Sequence, residues 1–317
     1  MRRWSLLLTL ITLLTACERI PLLERETRFY LKLKIHLKTN IDRPTTKAEE
    51  TLPEMMQVNF YDVETHELVN KVYVSAEGGY VDIESGVYDM VIYNLGTQTT
   101  RVDKTGSRGG IYAFTEAVDS RFLPQQLQGN GGSLSNQLII NEPDHLYVAR
   151  LEQVVVPERS VEDETVELYA EAETILETYL FRATHIAQIE HATSVKAFVS
   201  GQAQAKHLWD GRFTADQATI GFDCIADKTT GELYAYFNTF GKLPNVQNKV
   251  YLHLFVGNAS GDAYEYVFDV TDQFDNPDNK GVIEVTDEIV VPEPGTDQGG
   301  FAPIVDEWEE ESKDIEI

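Results

Sequence analysis

Apolar and polar side chains alternate with a period of two along most of this chain, most clearly at residues 28–38. There Phe29, Leu31, Leu33, Ile35 and Leu37 alternate with Arg28, Tyr30, Lys32, Lys34, His36 and Lys38. Successive side chains of a strand point to opposite faces, so this pattern predicts a half-buried antiparallel strand with a basic row in water. The alternation returns at 56–61, 68–74, 80–83 and 87–93, closed by turn-forming runs such as Glu77-Gly78-Gly79 and Glu84-Ser85-Gly86. From 95 to 141 it lapses, and Gly106, Gly109, Gly110 and the glycine-rich run 129–132 predict a long loop or crossing connection. Residues 144–150 and 153–156 then predict strands that close a first unit, and the polar, acidic stretch 157–164 predicts a linker. Beyond it, period two governs 166–184, 195–199, 218–225, 232–240, 249–256, 264–270 and 282–291. No segment sustains a period of 3.6, so the expected class is all-β, with two sandwich domains in tandem. The expected divisions are 1–16, 17–27, 28–157 and 165–317.

The first two divisions follow from the opening residues. An apolar run at 4–16 sits behind Arg2 and Arg3 and ends in Leu14-Thr15-Ala16-Cys17. It is shorter than the roughly 20 residues that cross a bilayer as a helix, but it has the basic, apolar and small-residue regions of an export signal. It resembles the bacterial lipobox, in which cleavage leaves the cysteine, here Cys17, as the site of lipid attachment. An ordinary cleaved signal with an incidental cysteine is the alternative. Residues 17–27 would form a lipid-attached tether that reaches at most roughly 40 Å, which keeps the first domain near the bilayer.

The charge balance, 26 basic against 52 acidic residues, gives a net charge of −26. Such a polyanion repels nucleic acid and anionic headgroups, so lipid rather than a basic patch is the expected membrane attachment. Of the two cysteines, Cys17 and Cys224, the second has no intramolecular partner if the first is acylated. A disulfide framework is therefore excluded, and Cys224 reads as a small buried hydrophobe beside Ile220 and Phe222.

Catalytic chemistry is not visible. No Gly-x-Ser-x-Gly elbow or His-Glu-x-x-His helix occurs, and run 129–132 lacks the Lys-Ser or Lys-Thr that a phosphate loop needs. His185 and His191, six residues apart in one strand, would lie roughly 20 Å apart, too far to share a metal. The oxygen-rich run from Asp272 to Asn279 does not follow the EF-hand spacing, and ordinary turn chemistry accounts for it, with calcium as the alternative. No enzyme activity, cofactor or metal is expected.

Three phrases suggest a family: the signal ending in Cys17-Glu18-Arg19, the turn-strand from Ser85 to Asn94, and the run from Glu142 to Ala149. With them go the run from Ile186 to Gly201, Phe237-Asn238-Thr239-Phe240-Gly241, and the run from Gly299 to Trp308. Together they resemble the fimbrillin and fimbrial-anchor lipoproteins of Bacteroidales, although Gln202-Ala203-Gln204 stands where small or apolar residues are usual. The resemblance implies two transthyretin-like Greek-key β-sandwiches and no enzymatic activity. It also implies an outer-membrane or surface-fibre location, with other fimbrial subunits as partners.

In that family, stalk subunits lose their first strand to an arginine-specific protease, and a neighbour's strand fills the groove, whereas anchor subunits keep strand and lipid. Burying the five apolar residues Phe29, Leu31, Leu33, Ile35 and Leu37 contributes at most about 7 to 15 kcal/mol. That rivals the net stability of a whole domain, about 5 to 15 kcal/mol, so a vacated groove would demand a donor strand. Release needs a cut between Lys38 and Met55, where the only arginine, Arg43, is followed by Pro44, a poor context for trypsin-like cleavage. An anchor or accessory subunit is therefore expected. A host or glycan ligand is a further partner class, and the alternative function is a surface glycan-binding lipoprotein of a polysaccharide-uptake system, for which Trp209 is the candidate loop aromatic.

Overall fold

A computed structural model describes residues 28–38, 52–128, 133–157, 166–214, 216–244 and 249–295. The signal, the tether with Cys17, the side chain of Phe29 and residues 296–317 lie outside the described residues.

Seven strands close a barrel around the first core: β1 (Arg28–Lys38), β2 (Met55–Asp62), β3 (Leu68–Ser75), β4 (Gly78–Glu84), β5 (Gly86–Asn94), β9 (Tyr147–Val156) and β10 (Val166–Thr174). Their order around the barrel is β1-β10-β9-β5-β2-β3-β4. Leu31, Leu33, Met56, Val58, Phe60, Ile83, Met90 and Ile92 fill it. On β2 and β5 the second face is covered too. Tyr61, Val91 and Tyr93 point away from the barrel into a separate cluster with Ile175, Leu176, Leu208 and Phe240, which joins the barrel to the rest of the chain.

The second unit is a sandwich of two sheets. One is five-stranded, with β8 (Ile139–Asn141), β13 (Ser194–Ala203), β15 (Gln217–Asp223), β18 (Tyr251–Gly257) and β19 (Ala263–Asp269) in the order β19-β18-β13-β15-β8. The other holds β11 (Glu177–Ala183), β16 (Ile225–Asp227), β17 (Glu232–Thr239) and β20 (Val282–Val285) in the order β16-β17-β11-β20. Phe181, Val199, Ile220, Phe222, Phe237 and Leu254 are among the residues packed between them. Phe222 and Phe237 stack at 4.4 Å between ring centroids. Two short sheets complete the fold. β12 (Ile186–Ala187) pairs with β21 (Ile289–Val290), and β6 (Thr100–Asp103) and β7 (Tyr112–Thr115) pair with β14 (Ala205–His207). One helical turn, α1 (Thr271–Asp275), precedes β20.

The all-β class is as the alternation implied, but the division of the chain is not. Residues 166–174 were expected to open the second domain, and instead β10 runs parallel to β1 over eight residue pairs and completes the barrel. The stretch 157–165 thus connects β9 and β10, two strands of one sheet. The chain leaves the barrel at Ile175 and Leu176, two consecutive buried residues that break period two. Crossing also occurs the other way, because β8 joins the edge of the five-stranded sheet, parallel to β15. The irregular region 95–141 therefore is a crossing connection, containing the β6–β7 pair that its glycines obscured. Its later part lies over the outer face of the sandwich, where Leu127 and Leu134 pack on Phe198 and Phe255. There the Ser133 hydroxyl donates to the Glu265 carboxylate, which also bonds His253 Nδ1 at 2.8 Å.

Candidate functional site: the first strand and its seat

β1 lies between two neighbours of opposite sense. It is antiparallel to β4, with Leu31 opposite Val81 and Leu33 opposite Gly79, and parallel to β10, with Ile35 opposite Ala170 and Leu37 opposite Ala172. The small partners leave room for the large ones. Leu31, Leu33 and Ile35 are buried and Leu37 is half-buried. The three buried side chains contribute at most about 5 to 9 kcal/mol of apolar burial. That is less than the five-residue sum and still comparable with the stability of a domain.

Gly78 makes the approach of β4 possible. Its φ is +106°, and a Cβ there would stand 2.0 Å from the Leu33 carbonyl oxygen. Only glycine tolerates both conditions. The turn that presents it is tied down by Ser75 Oγ donating to the Gly78 carbonyl at 2.6 Å and by the Ile35 N–H donating to the Glu77 carbonyl at 3.0 Å.

The outward rows of β1 and β10 have opposite charge. Lys32 and Lys34 each donate to Glu167 at 2.7 Å, and the Tyr169 hydroxyl adds a third bond to the same carboxylate at 2.9 Å. Lys34 also donates to the Tyr169 hydroxyl at 3.0 Å, and Lys38 lies 3.3 Å from Glu171 and 3.7 Å from Glu173. Lys32 and Lys34 hold the Glu167 carboxyl down at about 2, and Glu167 in turn raises the Lys34 ammonium to about 12.

A cleft of about 750 Å³ opens where barrel meets sandwich, lined by Met55, Leu95, His145, Tyr147 and Phe222 among others. Its polar groups serve the joint. Asp144 accepts the N–H groups of Thr99 at 3.1 Å and Thr100 at 2.6 Å and the Thr99 hydroxyl at 2.8 Å. Burial pushes the Asp144 carboxyl up, but these donors outweigh it and hold it below the usual range. Asn94 takes the Tyr147 N–H at 2.6 Å, and Glu142 takes the Asn238 N–H at 2.9 Å.

Trp209, the candidate loop aromatic, is half-buried. It packs against the joining cluster, and the Arg108 guanidinium lies 4.4 Å over its ring. Arg108 is itself ion-paired to Asp89. His185 bonds the Thr286 carbonyl, while His191 ends a short 3-10 turn. The Asp272 to Asn279 run folds as α1 and a second 3-10 turn, with Lys242 on Asp275 at 2.6 Å and Asn276 capping the Asp278 N–H at 3.0 Å. Among the described residues no group of three or more metal-binding side chains comes together. Cys224 packs against the sandwich core, and burial pushes its thiol well up.

The sequence resemblance to fimbrial-anchor-like proteins of Bacteroidales is matched by the comparisons with known proteins. The chain belongs to the family described as a domain of unknown function, DUF5119, whose model matches residues 17–223. It is 25% identical over 237 residues to the "Putative fimbrium anchoring subunit Fim4B" of Bacteroides ovatus, a match that covers 74% of this chain and 63% of that protein. The chain thus matches less than two thirds of that relative's length. In fold it is similar to a solved "putative adhesin" of Bacteroides ovatus, with a TM-score of 0.61 and 21% identity over 84% of this chain and 93% of the other. A second solved "putative adhesin" of Bacteroides ovatus gives a TM-score of 0.50 and 12% identity over 86% and 91%. Among the described residues no helix is long and apolar enough to cross a membrane.

Proposed function

We propose that this protein is a non-enzymatic subunit of fimbria-like fibres, an anchor or accessory component that keeps its own first strand. In this reading lipid on Cys17 attaches it to the outer membrane at the cell surface, and other fimbrial subunits are its partners through β-strand addition. The single observation that carries the reading is β1, which fills the place between β4 and β10 with Leu31, Leu33 and Ile35 in the core. A seat already filled supports an end or accessory position rather than a link in a polymer. The matched anchoring subunit of Bacteroides ovatus supports the fibre context. We also assign both units to the transthyretin-like Greek-key class, for which the barrel and the two facing sheets speak.

Intact-mass analysis and N-terminal sequencing of the protein purified from its native membrane test this. A diacylated or triacylated Cys17 at the N-terminus is expected. A natural N-terminus between Lys38 and Met55 would mean that the strand is removed, and the subunit would then be a polymerising one.

A further inference from the structure

The two sides of the first-strand seat differ in chemistry. Toward β4, Lys32 faces Tyr80 and Lys34 faces Gly78, while the carboxylates of that row, Asp82 and Glu84, stand opposite Tyr30 and Arg28. Toward β10, Lys32 faces Glu167, Lys34 faces Tyr169, His36 faces Glu171 and Lys38 faces Glu173. Each of the three lysines is paired to a β10 carboxylate. No other described strand carries three lysines, although acidic residues outnumber basic ones 52 to 26 along the chain. The basic row therefore stands where the acidic row is.

We propose that the outward row of β10, Glu167, Glu171 and Glu173, determines which strand can occupy this seat. It admits an extended segment with lysine or arginine at alternate outward positions and refuses an acidic one. The proposal rests on the strand-addition reading above. Exposed ion pairs stabilise weakly, but like charges directly opposite one another on neighbouring strands oppose pairing, so discrimination exceeds attraction. Register is selected as well, because a slip of one residue would turn the lysines inward and the apolar face outward.

One consequence concerns the chain's own sequence. Residues 304–317 hold Ile304, Val305, Trp308, Ile315 and Ile317 among seven acidic residues and one lysine. In one frame the row alternating with Val305, Ile315 and Ile317 includes Asp306, Glu310, Asp314 and Glu316; in the other, the row alternating with Ile304 and Trp308 includes Glu307, Glu309 and Glu311. Either frame sets carboxylates beside the β10 row. Copies of this chain are thereby prevented from filling one another's seats with that segment, and the fitting partner is a different, basic-faced strand.

The test uses the full chain with a protease site placed in 39–51, cut, and challenged with labelled synthetic peptides. One peptide is residues 28–38, the second has Lys32, Lys34 and Lys38 each changed to Glu, and the third is residues 304–317. The first peptide should exchange into the seat and bind about tenfold or more tightly than the other two at low salt. That margin should shrink near 1 M salt, where the screening length is about 3 Å. The chain carrying E167K, E171K and E173K should reverse the preference, and the peptide comparison on the unaltered chain stands by itself if that variant does not fold. Equal binding of the basic and acidic 28–38 peptides overturns the proposal and leaves strand addition intact. Failure of every peptide to exchange overturns strand addition itself, and the proposal with it.

Discussion

Asp89 is 2% exposed on β5, where the register with β9 shifts between Tyr88 and Met90. Its carboxylate takes the N–H of Gln153 at 2.9 Å and the Arg108 guanidinium, which in turn covers Trp209. Gln153 has φ +51°, so the bulge is held by a side chain rather than by a glycine. Removing the carboxylate leaves a guanidinium and an N–H without their acceptor in a buried setting, so Asp89→Ala should lower stability by about 3 kcal/mol, read as a shifted urea midpoint. None of this was legible in the sequence, where Asp89 reads as the ordinary polar member of an alternating strand and Trp209 as a lone loop aromatic. The sequence lacks the cross-chain contact that gives both their role. Glu167 offers a second test. Its carboxyl is held near 2, below its ordinary 4.5, so its contribution through Lys32, Lys34 and Tyr169 is complete above pH 4.5 and is lost as pH falls toward 2. Hydrogen exchange of β1 amides, compared with those of β5, should lose protection over that window. An unchanged ratio would mean that the ionic row does not help to hold the strand.

At the scale of the element, β1 was the most legible part of the chain, because an eleven-residue alternation of apolar and basic residues has few other solutions. What the pattern could not give was its neighbours. The parallel partner β10 begins 128 positions after the end of β1 at Lys38, at Val166, and period two names a face without naming the strand beside it. The long alternation at 166–184 hid a break for the same reason: Ile175 and Leu176 are both buried because the chain there passes from one core to another. β6 and β7 escaped notice because four-residue strands flanked by glycines carry little periodicity. Gly78 is the position on which the seat of β1 depends most sharply. Gly78→Ala places a Cβ against the Leu33 carbonyl and forces a positive φ on a residue that resists it, so it should cost at least about 2 kcal/mol. The loss should be local first. Exchange protection should fall in β1 and β4 while β13 and β18 of the sandwich keep theirs, and uniform loss throughout would place the strain elsewhere.

At the scale of the whole molecule, barrel and sandwich share a cluster that neither could bury alone. Tyr61, Val91 and Tyr93 come from the outer face of the barrel, Ile175 and Leu176 from the crossing, and Ala203, Leu208 and Phe240 from the second half. Arg150 of β9 donates to the Leu208 carbonyl, and Lys206 donates to the carbonyls of Ile175 at 2.9 Å and Phe240 at 3.3 Å, so polar bonds tie the same joint. Phe240 is fully buried there, and truncation of a buried phenylalanine costs about 3 to 5 kcal/mol through lost contacts and the cavity left behind. Phe240→Ala should therefore do more than lower the melting temperature. Calorimetry of the unaltered chain should give one cooperative transition, and the variant should give two, one for the barrel and one for the sandwich, since each retains its own core. A single transition that merely moves down would mean that the units stay coupled through the remaining contacts, and that Phe240 supports the sandwich rather than the joint.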